Sequence, residues 1–302
     1  AGAKFCPECG TKVGAAATSE PKAESAPKAE AAAESAPKAE AQKESSPKDN
    51  GSNKWLTIKD GVLTKCDHKA EGVVIIPEGV TEIGDFAFYD GEKITEIVIP
   101  ASVEEIYASF CDFESLRAIT VASGNEEYKS IDGVLYSDGG KTLFIYPNGK
   151  DVEEFTVPAG VKKIEDFCAN ESLVSVKLPD SLEKIGDDAF RGCKALESIT
   201  LPDSLEEIGN SAFDGCKSLE SITLPASVTK IGGEAFCGCT ALASVVIPDS
   251  VTRIGVVAFK FCESLSSITF GGTKKEWKAV EKGENWHEGV PAKGVECSDG
   301  MV

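Results

Sequence analysis

A fixed spacing constrains this chain more than any other feature. The dipeptides Leu178-Pro179, Leu201-Pro202, Leu224-Pro225 and Ile247-Pro248 follow one another at intervals of 23 residues. Ile76-Pro77 and Ile99-Pro100 keep the same interval, and Val157-Pro158 precedes Leu178 by 21. A period in this range belongs to solenoids, in which each repeat is one coil that packs against its neighbours.

One unit shows what a coil must contain. It runs from Leu196 through Ile199, Leu201, Leu205, Ile208, Phe213 and Cys216. Ile199 and Leu201 flank Thr200, the alternation of a short strand, and Pro202 ends that strand because it has no N–H to donate. The spacing of Leu205 and Ile208 predicts a helical or 3₁₀ turn, broken by Gly209. The apolar positions recur in register. Ile185, Ile208, Ile231 and Ile254 form one column, and Phe88, Phe190, Phe213, Phe236 and Phe259 another. Cys193, Cys216, Cys239 and Cys262 form a third. A lone coil cannot bury these groups, whereas stacked coils turn each column into a continuous apolar row, each large side chain contributing about 1.5–3 kcal/mol.

This pattern closely resembles the bacterial surface-protein-A type of leucine-rich repeat, with units of the form Leu-x-Ser-Ile-x-Leu-Pro-x-Ser-Val-x-x-Ile-Gly-x-x-Ala-Phe-x-Gly-Cys. The resemblance covers about residues 60–302. It implies a leucine-rich repeat solenoid with short parallel strands on a concave face, 3₁₀ or loop returns, and a place among cell-surface and host-interaction proteins.

Three stretches depart from the period. Residues 122–150 hold two β-rich runs around Asp138-Gly139-Gly140, which predicts a β-hairpin insert. Its tyrosines, Tyr128, Tyr136 and Tyr146, are either contact residues on a protrusion or filler at the junction of two repeat blocks. The units Ile106–Leu116 and Ile164–Leu173 are shorter than Ile185–Leu196 by one and two residues, which predicts distorted returns. At the far end, Thr273-x-x-Glu276 before Trp277 reads as a capping box opening a short helix within a cap at about 271–302. Trp277 and Trp286 are expected to seal the last coil, and the Trp55–Cys66 region the first.

The N-terminal part is different in kind. Cys6-Pro7-Glu8-Cys9-Gly10 presents two thiols from a tight turn, the geometry of half a zinc site. Residues 1–13 resemble the second half of a small bacterial zinc ribbon. A closed site needs four ligands, so Cys6 and Cys9 form either an unfolded stub with free thiols or a site completed from outside. Residues 14–53 are nearly all Ala, Lys, Glu, Pro and Ser and read as a disordered, solvated spacer before a solenoid over 54–302. The chain begins with Ala1, as a processed or truncated chain would, and no apolar run near it reads as a signal peptide.

Charge then narrows the partners. The chain carries 31 Lys+Arg and 50 Asp+Glu, a net −19. Residues 1–53 hold 7 Lys and 8 Asp+Glu, so the repeats carry 24 − 42 = −18. Such a surface repels phosphate backbones and anionic bilayers, and no apolar run is long enough to span a membrane. The expected partner is a protein or a glycan, while composition leaves the oligomeric state open. Cell-surface placement follows from the family, cytoplasmic placement from the missing signal peptide and reduced thiols.

No arrangement of nucleophile, base and orienting acid appears, so no enzymatic activity is expected. The 11 cysteines are odd in number and point to thiols. The repeat column reads as a packed thiol ladder rather than as disulfides, and Cys237, in a column with Arg191, Asp214 and Lys260, is expected to face water. His68 and His287 lack partners for a metal, so no cofactor is expected in the repeats, and zinc only if the missing half of the ribbon is supplied. Glu104-Glu105, Glu153-Glu154 and Glu206-Glu207 are read as one solvated stripe. The candidate binding residues are the outward positions of the strands, Ser175, Lys177, Ser198, Thr200, Ser221, Thr223, Ser244, Val246, Ser267 and Thr269. They are mostly small and uncharged, suited to an extended polypeptide or a glycan, or simply to exposed strand positions.

Overall fold

A computed structural model describes residues 52–302 except 89–90, 109, 111–112 and 168. The stub, Cys6, Cys9 and the spacer lie outside the described residues, as do Cys111 and Cys168. The repeats stack as coils joined by parallel ladders in 23-residue register, as in Ser175↔Ser198 and Lys184↔Glu207. Helix is confined among the described residues to Lys274–Ala279 and two short 3₁₀ segments.

Each coil contributes to two stripes of strands. The first stripe contains Glu154–Thr156, Ser175–Lys177 and Ser198–Thr200, then Ser221–Thr223, Ser244–Ile247, Ser267–Phe270 and Val295–Cys297. The second is a nine-stranded sheet that includes Lys163–Ile164, Lys184–Ile185, Glu207–Ile208, Lys230–Ile231 and Arg253–Ile254. This second stripe occupies the position where a 3₁₀ turn was expected. The local turn ends early, with the Leu205 N–H donating to the Pro202 carbonyl at 3.0 Å. From there the backbone bonds to the next coil instead: Glu206 N–H to the Glu183 carbonyl at 2.9 Å and Gly209 N–H to the Ile185 carbonyl at 2.9 Å. Glycine permits that approach, since a Cβ on Gly209 would lie 2.5 Å from the Gly186 carbonyl carbon. A coil with a neighbour on each side gains a partner for every such group, which a short 3₁₀ turn cannot provide.

The interior columns are realised as expected. Phe190, Phe213 and Phe236 stack with centroids 5.2 Å apart and planes within 6°, close to the strand spacing itself. Trp286 meets Phe259 edge-on at 6.1 Å and packs on Trp277, ending the column. The capping box at Thr273 and Glu276 is formed. At the other end, the antiparallel pair Leu56–Lys59 and Val62–Cys66 closes the first coil, with Trp55 and Leu56 packed on the core.

The insert is not a protrusion. Asp132 and Gly133 turn the chain with φ of 52° and 77°, so a hairpin precedes the expected one. The result is a three-stranded meander, Lys129–Ile131, Val134–Ser137 and Thr142–Ile145, whose last strand pairs in parallel with Lys163–Ile164. Val134, Tyr136, Leu143 and Tyr146 enter the core of the C-terminal coils. Leu135 and Ile145 enter the core of the N-terminal coils. The meander is therefore a partition with a core on each face. Tyr136 and Tyr146 are fully buried filler, and Tyr128 is half-buried, its hydroxyl accepting the Ile106 N–H at 3.2 Å.

A candidate binding surface and its chemistry

The first stripe presents the candidate residues outward, because the strand pleat alternates. Val176, Ile199, Ile222, Val245 and Ile268 are buried, while the residues on either side of each are exposed or half-exposed. In register, Ser175 lies beside Ser198 and Lys177 beside Thr200. Ser221, Ser244 and Ser267 form a second row, as do Thr223, Val246 and Thr269. Among these residues only Lys177 carries a charge, 4.0 Å from Glu154.

The stripe is broken in one place that the repeats do not announce. Ser198–Thr200 and Ser221–Thr223 belong to separate sheets. The N–H of Glu220 reaches the Glu197 carbonyl at 3.4 Å, against 3.0 Å for the equivalent bonds of Glu197 and Ala243. A shallow depression of about 360 Å³ lies there, lined by Ser198, Thr200, Asp203, Ser221, Thr223 and Pro225. The second stripe and the Phe213–Phe236 stack continue uninterrupted across the same two coils. The coils thus stay joined on one side and part slightly on the other.

The three glutamate pairs do not share a position. Glu154 pairs with Ser175 on the first stripe, whereas Glu207 lies in the second stripe between Lys184 and Lys230. The apolar residue that follows each pair is the half-buried Phe155 in the first stripe, whereas it is the buried Ile106 or Ile208 in the other two cases.

The cysteine column is buried, and none of the seven described cysteines is in a disulfide. Cys216, Cys239 and Cys262 each donate to the carbonyl of the phenylalanine 26 residues earlier, at 3.1 Å. Burial pushes the Cys262 thiol up to about 12 and that of Cys66 to about 11. Such thiols stay protonated and are weak nucleophiles. Cys237 is half-exposed, the one described cysteine that is not buried. Partial burial, then the Asp214 and Glu234 carboxylates, raise its thiol above the usual range. His68 lies 3.4 Å from Asp67, and His287 stacks on Trp286 at 4.1 Å, where burial lowers its basicity. No group of three or more potential metal ligands occurs among the described residues. None of the helices described is long and apolar enough to cross a membrane.

Two asparagines that the sequence reading passed over hold the insert in place. Asn170 is fully buried, its Nδ2 donating to the carbonyls of Asn148 at 2.8 Å and Lys150 at 3.0 Å. Its Oδ1 accepts from the N–H groups of Ser172 and Leu173. Asn125 repeats the pattern with the carbonyls of Pro100 and Val103 and the N–H groups of Glu127 and Tyr128. The available signal was positional: Asn170 stands three before Leu173, where regular coils carry cysteine.

The repeat region matches the model of the BspA type leucine rich repeat region in six copies, over residues 50–135 and 162–279. This chain belongs to that family. A leucine-rich cell surface protein of Faecalibacterium prausnitzii A2-165 is 34% identical with a TM-score of 0.61. The match covers 71% of this chain and 63% of that one, so the chain spans somewhat under two thirds of that relative's length. A leucine-rich repeat protein of Eubacterium ventriosum is 27% identical over 78% of this chain and 70% of that one, TM-score 0.59. The pneumococcal vaccine antigen PcpA is 25% identical over 74% of this chain and 68% of that one, TM-score 0.58. No curated protein matches the chain. The chain is thus a leucine-rich repeat scaffold of the kind found in bacterial surface proteins.

Proposed function

We propose that the chain is a non-enzymatic binding scaffold, adhesin-like, that holds an extended polypeptide or a glycan along the Ser/Thr stripe. The observation that carries this is the pair of in-register ladders over 175–200 and 221–269, made mainly of Ser and Thr and open to solvent on coils whose interior is closed. A row of hydroxyls at strand spacing offers donors and acceptors to a ligand with its own extended repeat. The relatives described as a cell surface protein and a vaccine antigen favour display outside the cell.

The test has two arms. Protease added to intact cells of the source organism is expected to cut the repeats, and repeats shielded until lysis sink the surface reading. Glycan and extracellular-protein arrays are expected to give binders that are lost when Thr200 and Thr223 become Arg. Binders unaffected by that change place the ligand elsewhere. The alternative is an intracellular protein whose Cys6-Pro7-Glu8-Cys9 turn completes a zinc ribbon with further ligands and whose repeats serve as an interaction arm. A shielded solenoid together with stoichiometric zinc on the longer chain supports it.

A further inference from the structure

The N-terminal coils build the counterpart of the second stripe as a separate four-stranded sheet that includes Glu82–Ile83 and Glu105–Ile106, and there they depart from the repeat rule. Regular coils place Asp188, Ser211, Glu234 and Val257 two residues before the stacked phenylalanine, and Gly186, Gly209, Gly232 and Gly255 directly after the stripe isoleucine. In the N-terminal coils the same two positions hold Phe86 and Tyr107. They are 72% and 57% exposed, the two most exposed aromatic residues described. Tyr107 follows Ile106 and donates its N–H to the Ile83 carbonyl at 2.8 Å, which sets it beside the coil that carries Phe86. Its hydroxyl donates to the Glu105 carboxylate at 2.6 Å and senses the charges of Glu82 and Asp85.

The electrostatics around these rings are unbalanced. Glu82 and Glu105 are direct neighbours in the parallel ladder, and like charges so placed repel. In the C-terminal coils the same row, Lys163, Lys184, Glu207, Lys230, Arg253 and Glu281, sets each carboxylate beside a cation, and Lys184 meets Glu207 at 3.3 Å and Arg253 meets Glu281 at 3.8 Å. Among the described residues no cation pairs with Glu82, Asp85, Glu104 or Glu105. The acidic field continues into a depression lined by Glu104, Glu105, Glu126 and Glu127.

We infer that Phe86 and Tyr107, rimmed by Glu82, Asp85 and Glu105, form a docking surface for an arginine-rich segment of a partner protein. Guanidinium groups suit it on three counts. They are weakly hydrated, they stack on aromatic faces, and they bridge carboxylates with paired N–H donors. The same rim repels nucleic acid and anionic membranes. This surface lies off the Ser/Thr stripe and goes beyond the function proposed above, so either can fail alone.

The probe is a fluorescent acetylated nona-arginine peptide, titrated into the full chain at about 0.15 M salt, where long-range attraction to a chain of net charge −19 is largely screened. The parent chain is expected to bind it. Phe86→Ala with Tyr107→Ala leaves the net charge unchanged and is expected to weaken binding about tenfold, the scale of losing an aromatic anchor. Glu82→Gln with Glu105→Gln is expected to weaken it comparably, whereas Thr200→Val with Thr223→Val leaves it intact. Absence of binding by the parent overturns the inference. So does an unchanged affinity in the aromatic double variant, which reduces any binding to diffuse charge. Circular dichroism checks that each variant folds. If the double variant does not, Phe86→Ser alone, at the more exposed site, carries the same comparison with an expected loss of severalfold.

Discussion

At the scale of single residues, the buried polar groups divide into those that are fully used and those that are not. Asn170 makes four hydrogen bonds, two to the end of the insert and two within its own turn. Asn170→Ala strands two carbonyls and two N–H groups beneath the coils and is expected to cost about 3 kcal/mol, since each buried group left unpaired costs about 1–3 kcal/mol before relaxation. Tyr136 and Tyr146 are the opposite case: their hydroxyls are buried without a hydrogen-bond partner. Tyr146→Phe keeps the ring stacked on Phe167 at 4.7 Å and is expected to leave stability unchanged or raise it by about 1 kcal/mol. Urea unfolding of the two variants checks both signs, and a large loss in Tyr146→Phe contradicts the unpartnered hydroxyl. Cys237 supplies a pH readout. As the least buried described thiol it is expected to alkylate first among the described cysteines, read by peptide mass spectrometry. Because partial burial and the Asp214 and Glu234 carboxylates raise it above its ordinary value of 9.0, its rate at pH 8 is expected to fall below that of a free thiol and to reach half its maximum only above pH 9. A rate already level by pH 9 contradicts the raised value.

At the scale of elements, two features decide how tightly the coils stack. Gly232 sits where a Cβ would meet the Gly209 carbonyl oxygen at 2.3 Å, backbone that cannot swing aside. Gly232→Ala therefore forces the second stripe apart and is expected to cost about 1–3 kcal/mol, occasionally more. Gly160→Ala has open space but a φ of 91°. It tests backbone strain alone, and equal costs at the two sites argue against crowding. The broken ladder gives the second measurement. Amides of Ser221–Thr223 are expected to exchange faster with deuterium than those of Ser244–Ile247, although the two coils follow the same repeat pattern. Equal protection contradicts the gap. The columns were legible beforehand because a 23-residue period repeats every core position in view. The gap was not, because Ser198-Ile199-Thr200-Leu201-Pro202 and Ser221-Ile222-Thr223-Leu224-Pro225 are the same five residues. The second stripe was misread for a related reason. An i, i+3 apolar spacing fits a 3₁₀ turn and equally a turn followed by a strand, and the deciding hydrogen bonds lie 23 residues away.

At the scale of the whole molecule, the meander makes the repeats two cores rather than one. Val134, Leu135 and Tyr136 are successive apolar residues, so their alternation between the cores could not be read from hydropathy, and the insert looked like a protrusion. The two sides also differ in charge pairing. Each described ion pair between acids and Lys or Arg involves residues 154–288. On the other side Glu82 abuts Glu105, and Tyr128 supplies the Ile106 N–H with the partner that a further coil would have provided. In a solenoid, stability is a sum of local terms and neighbour interfaces, so an unequal charge pattern gives unequal opening. The N-terminal coils are therefore expected to open first. Native-state hydrogen exchange at Ile97 and Ile119 should report a lower opening free energy than at Ile208 and Ile231. Raising the salt from about 0.05 M to about 0.5 M screens the Glu82–Glu105 repulsion and should narrow that difference, while weakening exposed pairs such as Lys184–Glu207. Glu105→Lys, which sets a cation beside Glu82, should narrow it further at low salt. A single opening free energy on both sides of the meander, unmoved by salt, would instead mean that the partition couples the two cores into one cooperative unit.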